Sequence, residues 1–217
     1  DIIKAYEEGK EKELSKKAPL HKIILNMIIR HLPNPLQAQK YRIKKIWPGD
    51  VESELGKALL GCDPNGPVVF VPTKIVIDQH AGEVAGGRLF SGTVKKGMDL
   101  WMAGVKKWVK IQQVNLYKGP HRMIVDNVPA GNIVGIVGLK DVFAGETVSS
   151  VQEIEPFEEI KHLFEPVVTV SIEAKRASDL PKLVEVLKKV AKEDPTVKIE
   201  INEETGEHLL SGMGELH

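Results

Sequence analysis

Residues 82–97 read GEVAGGRLFSGTVKKG, and the way this stretch mixes glycine with β-formers decides the fold of what surrounds it. Gly82, Gly86 and Gly87 break up the approach, and Arg88, Leu89 and Phe90 begin a strand. Gly92 interrupts that strand before Thr93, Val94 and a turn at Lys95, Lys96 and Gly97. A glycine inside a β pattern marks a bulge or a close backbone approach, so Gly92 predicts a sheet that bends sharply, as small barrels must. A phosphate loop is the competing reading of glycine beside lysine. Gly82 and Gly87 have its separation, but Arg88 and Leu89 stand where Lys and Ser/Thr are needed, and β-formers follow instead of a helix. No nucleotide site is expected here.

On both sides of this stretch the β texture continues. Short runs at 68–71, 74–77, 88–90, 98–102, 108–111, 121–125 and 132–137 are separated by Gly- and Pro-bearing turns at regular intervals, the pattern of a closed or nearly closed antiparallel barrel. At Pro156 the texture changes, and from Pro166 a second unit begins. Residues 167–173 alternate as a half-buried strand. Ser178 is placed to cap a helix whose Leu180, Leu183, Val184, Leu187, Val190 and Ala191 share one face until Asp194 and Pro195 stop it. Strands at 197–201 and 208–210 flank a hairpin turn at 203–206. The order β-α-β-β describes a ferredoxin-like unit without its last helix and strand, so Val168, Val170, Ile199 and Ile201 are expected to be partly uncovered.

Toward the N-terminus the period is helical. Residues 1–15 form one expected helix, carrying Ile2, Ile3, Tyr6 and Leu14 on a charged background. A second runs from Pro19 to Pro33 with Leu20, Ile23, Ile24, Met27, Ile28 and Leu32 at helical spacing. Its apolar stripe needs a surface to cover, either this chain's own barrel or a domain upstream. The basic stretch 39–45 interleaves Tyr41 with Lys40, Arg42, Lys44 and Lys45. Such interleaving suits single-stranded nucleic acid, but one short stretch reads first as a solvated connector. A short helix at 52–60 and a turn at 62–67 lead into the barrel. The expected division is therefore a helical arm (1–35), a connector (36–67), the barrel (68–155), a linker (156–166) that would serve as a hinge, and the partial α+β unit (167–217).

The chain has 217 residues, 42% hydrophobic and 28% charged, within the range of globular domains. No apolar run approaches the length that crosses a bilayer, and a membrane partner is not expected. The single cysteine, Cys62, excludes an internal disulfide and fits a reducing cytoplasm. The formal charge is zero but unevenly spread: +3 over residues 1–67, +4 over 68–150 and −7 over 151–217. Such asymmetry argues for units with different neighbours. The chain opens at Asp1 without methionine and closes at His217 without a terminating loop, so it is expected to belong to something longer.

Catalytic chemistry is not legible. The histidines at 21, 31, 80, 121, 162, 208 and 217 show no metal-ligand spacing and read as surface or structural residues. Ser91 and Ser211 lack the G-x-S-x-G elbow of a nucleophile. The carboxylate pairs Glu158-Glu159 and Glu203-Glu204 lie in charged stretches that read as solvated surface.

Particular residues carry a resemblance. Residues 87–94 (GRLFSGTV) with Gly97 are similar to the signature of domain II in translational GTPases. Residues 130–134 (AGNIV) with Gly138, Leu139 and Asp141, and residues 144–147 (AGET), resemble that domain's second signature. Residues 180–183 (LPKL) and 211–217 (SGMGELH) match the start and middle of domain III, and residues 47–50 with 62–67 resemble the archaeal and eukaryotic branch. Over essentially the whole chain the sequence resembles the elongation factor 2 family of ribosomal translocases, whose bacterial counterpart is elongation factor G. Its compactness is most similar to the archaeal form. The resemblance implies a mainly β fold with an α+β part: an antiparallel translation-factor β-barrel preceded by a helical arm and followed by a truncated ferredoxin-like unit.

For the complete protein the resemblance implies GTP-dependent translocation of tRNA and mRNA, with GTP and Mg2+ held in a GTPase domain upstream. The family's modified histidine would belong to a tip domain downstream, so none of the histidines here takes that role. For this chain it implies no catalysis and no cofactor. Its partners would be the ribosome, through ribosomal RNA and small-subunit proteins, and the neighbouring domains of the same protein. The candidate phosphate contacts on the basic barrel are Arg88, Lys95, Lys96, Lys106 and Lys107. A related GTPase of ribosome biogenesis or RNA splicing is the alternative.

Overall fold

The computed structural model describes residues 2–78, 80–119, 121–158, 166–201 and 207–214. The barrel is organised by a long hairpin. Strand β1 (Val69–Asp78) pairs antiparallel with β2 (Gly82–Ser91), which spans the glycine-rich stretch from its first residue instead of beginning at Arg88. The register slips between Pro72 and Lys74, where β1 bulges toward its partner. Gly87 permits this: a Cβ there would lie 2.1 Å from the Val71 carbonyl oxygen. One of the glycines that seemed to break the strand, Gly87, therefore lets two backbones touch. At the far end Gly92, at φ +78°, turns the chain beneath Val68, whose Cα a methyl group would approach to 2.6 Å. The predicted sharp bend lies there.

Around this hairpin stand β3 (Thr93–Lys95), β4 (Asp99–Met102), β5 (Lys107–Lys110), β6 (Gln113–Lys118), β7 (His121–Val125), β8 (Asn127–Pro129), β9 (Ile133–Val137) and β10 (Val148–Ser149). Eight of the strands form one antiparallel sheet in the order β5-β4-β10-β1-β2-β9-β6-β7, and β3 pairs with β8 as a separate ribbon against β6. Phe70, Ile75, Leu89, Val94, Leu100, Met102, Val114, Val128, Ile136 and Val148 meet in one dry core. β6, β8 and β10 were not anticipated. β6 has apolar Val114 and Leu116 between polar neighbours, whereas β8 and β10 are too short to show a period.

The N-terminal side differs from expectation in two places. Residues 1–15 do not form one helix: α1 (Ile2–Glu7) and α2 (Glu11–Lys17) are separated at Gly9, whose φ of +65° ends the first. α3 (Leu20–His31) follows as predicted, yet none of its residues is buried, and Ile23, Ile24, Leu25, Met27, Ile28 and Ile29 are all exposed. It does not cover the barrel.

The stretch expected to be a connector is helical. α4 (Pro35–Ile46) starts at a reciprocal cap, in which the Asn34 side chain accepts from the Gln37 N–H and the Gln37 side chain accepts from the Asn34 N–H. Proline at its first position supports the same start. α5 (Glu54–Gly61) is capped by Ser53. Both helices pack on the outer face of the barrel: Ile43, Trp47 and Leu59 meet Val69, Val71, Ile154 and Phe157 in a second apolar cluster.

The second unit has β11 (Val168–Ile172), α6 (Leu180–Glu193), β12 (Lys198–Ile201) and β13 (His208–Gly212), with sheet order β11-β13-β12 and antiparallel pairing throughout. This is the split β-α-β arrangement expected of a ferredoxin-like unit. Val170 stays exposed, and Val168, Ile199 and Ile201 are half-buried. Ser178 is not the cap; it lies in a short 3-10 turn (Ala177–Asp179) and α6 begins without a side-chain cap. The turn at 203–206 and most of the 156–166 linker lie outside the described residues.

Candidate functional site

Arg88 is set apart from the other candidates by its surroundings. It lies on β2 opposite Val71 and Ile133, next to Leu89, which enters the core. Alternation along a strand therefore turns Arg88 outward, toward α4. There its Nη2 donates to Gln39 Oε1 at 3.2 Å. Gln39 is itself buried, and its amide nitrogen donates to the Leu59 carbonyl at 2.6 Å and the Phe90 carbonyl at 2.9 Å, which fixes the oxygen toward Arg88. Desolvation lowers the Arg88 pKa; the Cys62 thiol opposes the shift, and neighbouring Arg42 adds to it. Burial raises the pKa of Cys62, an effect that Arg88 counters.

The four lysines fall into two pairs. Lys95 ends β3 opposite Asn127, and Lys96 follows in the turn to β4, its N–H donating to the Asp126 carbonyl at 3.4 Å. Lys106, at φ +55°, ends the turn between β4 and β5 and Lys107 opens β5, at the other end of β4. Four strand residues separate the turns by roughly 13 Å. All four lysines are exposed, and none is in an ion pair among the described residues. A carboxylate inside the barrel supports the second turn: buried Glu146 accepts from the Gly104 N–H at 2.8 Å and the Thr147 N–H at 2.9 Å. The structure thus brings Arg88 together with α4 and places the lysines at two separate turns.

Sequence reasoning passed over two further features. One is the closure around Phe157, whose ring stacks on Phe90 at 5.0 Å and lies 6.5 Å from Trp47, while Trp47 Nε1 donates to the Glu155 carbonyl at 2.7 Å. Aromatic residues spread over 110 positions carry no local signal. The other is a polar joint between the units. At the tip of the β1–β2 hairpin, Lys192 of α6 pairs with Glu83 at 2.6 Å and the Glu193 carboxylate accepts from the Ile77 N–H. Beside it, Asp78 accepts from the His80 and Ala81 N–H groups and pairs with Arg122 at 3.1 Å. Among the described residues no three His, Cys, Asp or Glu side chains are grouped to hold a metal ion. Among the described residues no helix is long and apolar enough to cross a membrane.

The sequence model of Elongation factor Tu domain 2 matches residues 82–149, and that of Elongation Factor G, domain III matches residues 163–217. Across its whole length the chain is 60% identical to Elongation factor 2 of Methanocaldococcus jannaschii, 58% to that of Archaeoglobus fulgidus and 57% to that of Methanopyrus kandleri. The chain is homologous to elongation factors 2 along its whole length. It spans 30% of the length of the first two relatives and 17% of the third. The barrel and the split β-α-β unit correspond to the two matched domain models, and the joint at Lys192 and Glu83 lies between them.

Proposed function

We propose that this chain is the docking and relay portion of a translational GTPase that drives GTP-dependent translocation of tRNA and mRNA on the ribosome. The reading is carried by the 57–60% identity to elongation factors 2 along the entire chain. In it, the complete protein acts in the cytoplasm and binds GTP and Mg2+ in a separate GTPase domain, and this part performs no catalysis. Residues 1–35 serve as an arm from the GTPase domain, 36–67 as its connection, 68–155 as domain II and 167–217 as part of domain III, with a hinge between the last two. The barrel docks on ribosomal RNA and small-subunit proteins through Arg88 and the lysine turns at 95–96 and 106–107.

The relay is supported by the chemistry of the joint. The Lys192–Glu83 pair is partly exposed and stabilises by only about 0.2–1 kcal/mol, and the Glu193 carboxylate adds one charge-assisted hydrogen bond of about 1.5–3 kcal/mol. α6 can then be displaced from the barrel without unfolding either unit. Docking is tested by replacing Lys95 and Lys96 with Glu in the full-length protein and titrating ribosomes at several salt concentrations. Binding weakens and the salt slope falls by about 0.7–0.9 for each phosphate contact removed. Unchanged binding across the salt range would exclude both lysines.

A further inference from the structure

α4 offers a surface different from the lysine turns. Its sequence, PLQAQKYRIKKI, holds four basic residues and no acidic one. Gln39 and Ile43 anchor one face in the interior, while Lys40, Tyr41, Arg42, Lys44 and Lys45 remain exposed on a capped, rigid helix. Arg42 lies one turn beyond Gln39 on the same side, and Lys45 one turn beyond Arg42. Arg42 and Arg88 both line a groove of about 470 Å3 whose walls include Pro35, Ile46 and Phe90.

This groove contains an electrostatic imbalance. Arg88 is partly withdrawn from water, is held by one neutral acceptor, and faces a second guanidinium. Among the described residues neither arginine has a carboxylate partner. Cations taken from water are ordinarily paired, because an unpaired one bears the desolvation cost alone. Gln39 nevertheless holds Arg88 in this position through two backbone hydrogen bonds of its own.

We infer that Arg42, Arg88 and Lys45 form a binding site for the phosphodiester backbone of RNA, with exposed Tyr41 beside it as a surface on which a base can stack. A single carboxylate would satisfy the arginine pair. The row of cations continuing along α4 without an acidic interruption fits a polyanion, whose phosphates repeat, and an aromatic face beside cations suits an unpaired strand. The site deepens the ribosome-docking reading, on which its biological use rests, and adds a second basic face away from the lysine turns.

The test uses the full-length protein and a fluorescein-labelled single-stranded 20-mer RNA, with binding followed by anisotropy between 50 and 200 mM salt. Arg42→Gln with Lys45→Gln changes only exposed side chains; it lowers the salt slope by about 1.4, two single-strand contacts, and leaves the melting temperature unchanged. Arg88→Lys keeps the charge but loses the fork-shaped donor geometry, and weakens binding at every salt concentration. An unaltered slope and affinity in both variants would overturn the site. So would binding of polyglutamate, instead of RNA, that depends on Arg42 and Arg88, because the groove would then serve an acidic protein segment. Ribosome titration with the same variants separates the two readings: loss of RNA binding with undiminished ribosome binding keeps the site and removes its role in ribosome docking.

Discussion

Replacing Gln39 by leucine tests whether the α4 anchor has been read correctly. Leucine nearly preserves the volume of the buried side chain, so packing changes little, but both donors disappear. The partly buried Phe90 carbonyl loses a 2.9 Å bond, and leaving such an acceptor unsatisfied costs about 1–3 kcal/mol. The Leu59 carbonyl loses a 2.6 Å bond but keeps a weak contact from the Cys62 N–H at 3.4 Å, so about 0.5–1.5 kcal/mol is lost there. Together the change is roughly 1.5–4.5 kcal/mol, or about 10- to 2,000-fold in the unfolding equilibrium. Urea unfolding followed by tryptophan emission reads it well, because Trp47 lies in the outer cluster and Trp101 packs against it. Gln37→Ala is the control: Gln37 is exposed and closes only one half of the α4 cap, and its loss costs about 0.5 kcal/mol. A Gln39→Leu protein within 0.5 kcal/mol of wild type would refute the anchor.

Three other outcomes are expected. Gly92→Ala combines a backbone at φ +78° with a Cβ 2.6 Å from Val68, and destabilises the barrel by about 2–5 kcal/mol in thermal unfolding; a loss below 1 kcal/mol would mean the bend relaxes freely. Glu83→Ala removes the Lys192 pair, leaving stability within about 1 kcal/mol but widening the distance distribution between dyes placed at Lys106→Cys and Lys198→Cys in a Cys62→Ser background; an unchanged distribution would assign the joint to the hydrogen bond between Glu193 and the Ile77 N–H. The Asp78 carboxyl is held below its ordinary pKa, first by the Ala81 and His80 N–H groups and then by Arg122. Its contribution is complete above the unfolded carboxylate value and is lost as pH falls through the lowered folded value. Asp78→Asn should therefore show less acid destabilisation than wild type below about pH 4, and parallel stability curves would exclude this role.

How much of this was legible beforehand follows from the range of the forces involved. β1, β2, β4, β7, β9, α3 and α6 could be recognised because each has a periodic apolar face, a signal contained within a few residues. α4 was hidden by its own charges. Lys40, Arg42, Lys44 and Lys45 make it read as solvated, and its cap, Asn34-Pro35-Leu36-Gln37, follows directly on Pro33, which marks the end of α3. Gln39 could not be placed, because its three partners are Leu59, Phe90 and Arg88, 20 to 51 positions away. The same holds for Arg88: its strand was predicted, but the α4 neighbour that changes its electrostatics was not. The lysine turns were found because Gly97 and the basic doublets mark turns locally, whereas their separation along β4 appears only in the folded chain.

The position of β10 has a consequence for how this chain is made. β1 is flanked in the sheet by β2 on one side and β10 on the other, and β10 is only Val148 and Ser149. During synthesis, β2 emerges directly after β1, but the other edge of β1 waits about 80 residues for its neighbour, several seconds at typical elongation rates. For that interval a nascent chain carries an unpaired edge at Val69 and Phe70, the kind of edge that recruits foreign strands. Trp47, Phe90 and α4 are already outside by then, but they gain Phe157 only a few residues after β10. Barrel and helical flank are therefore completed almost together, late and in one step.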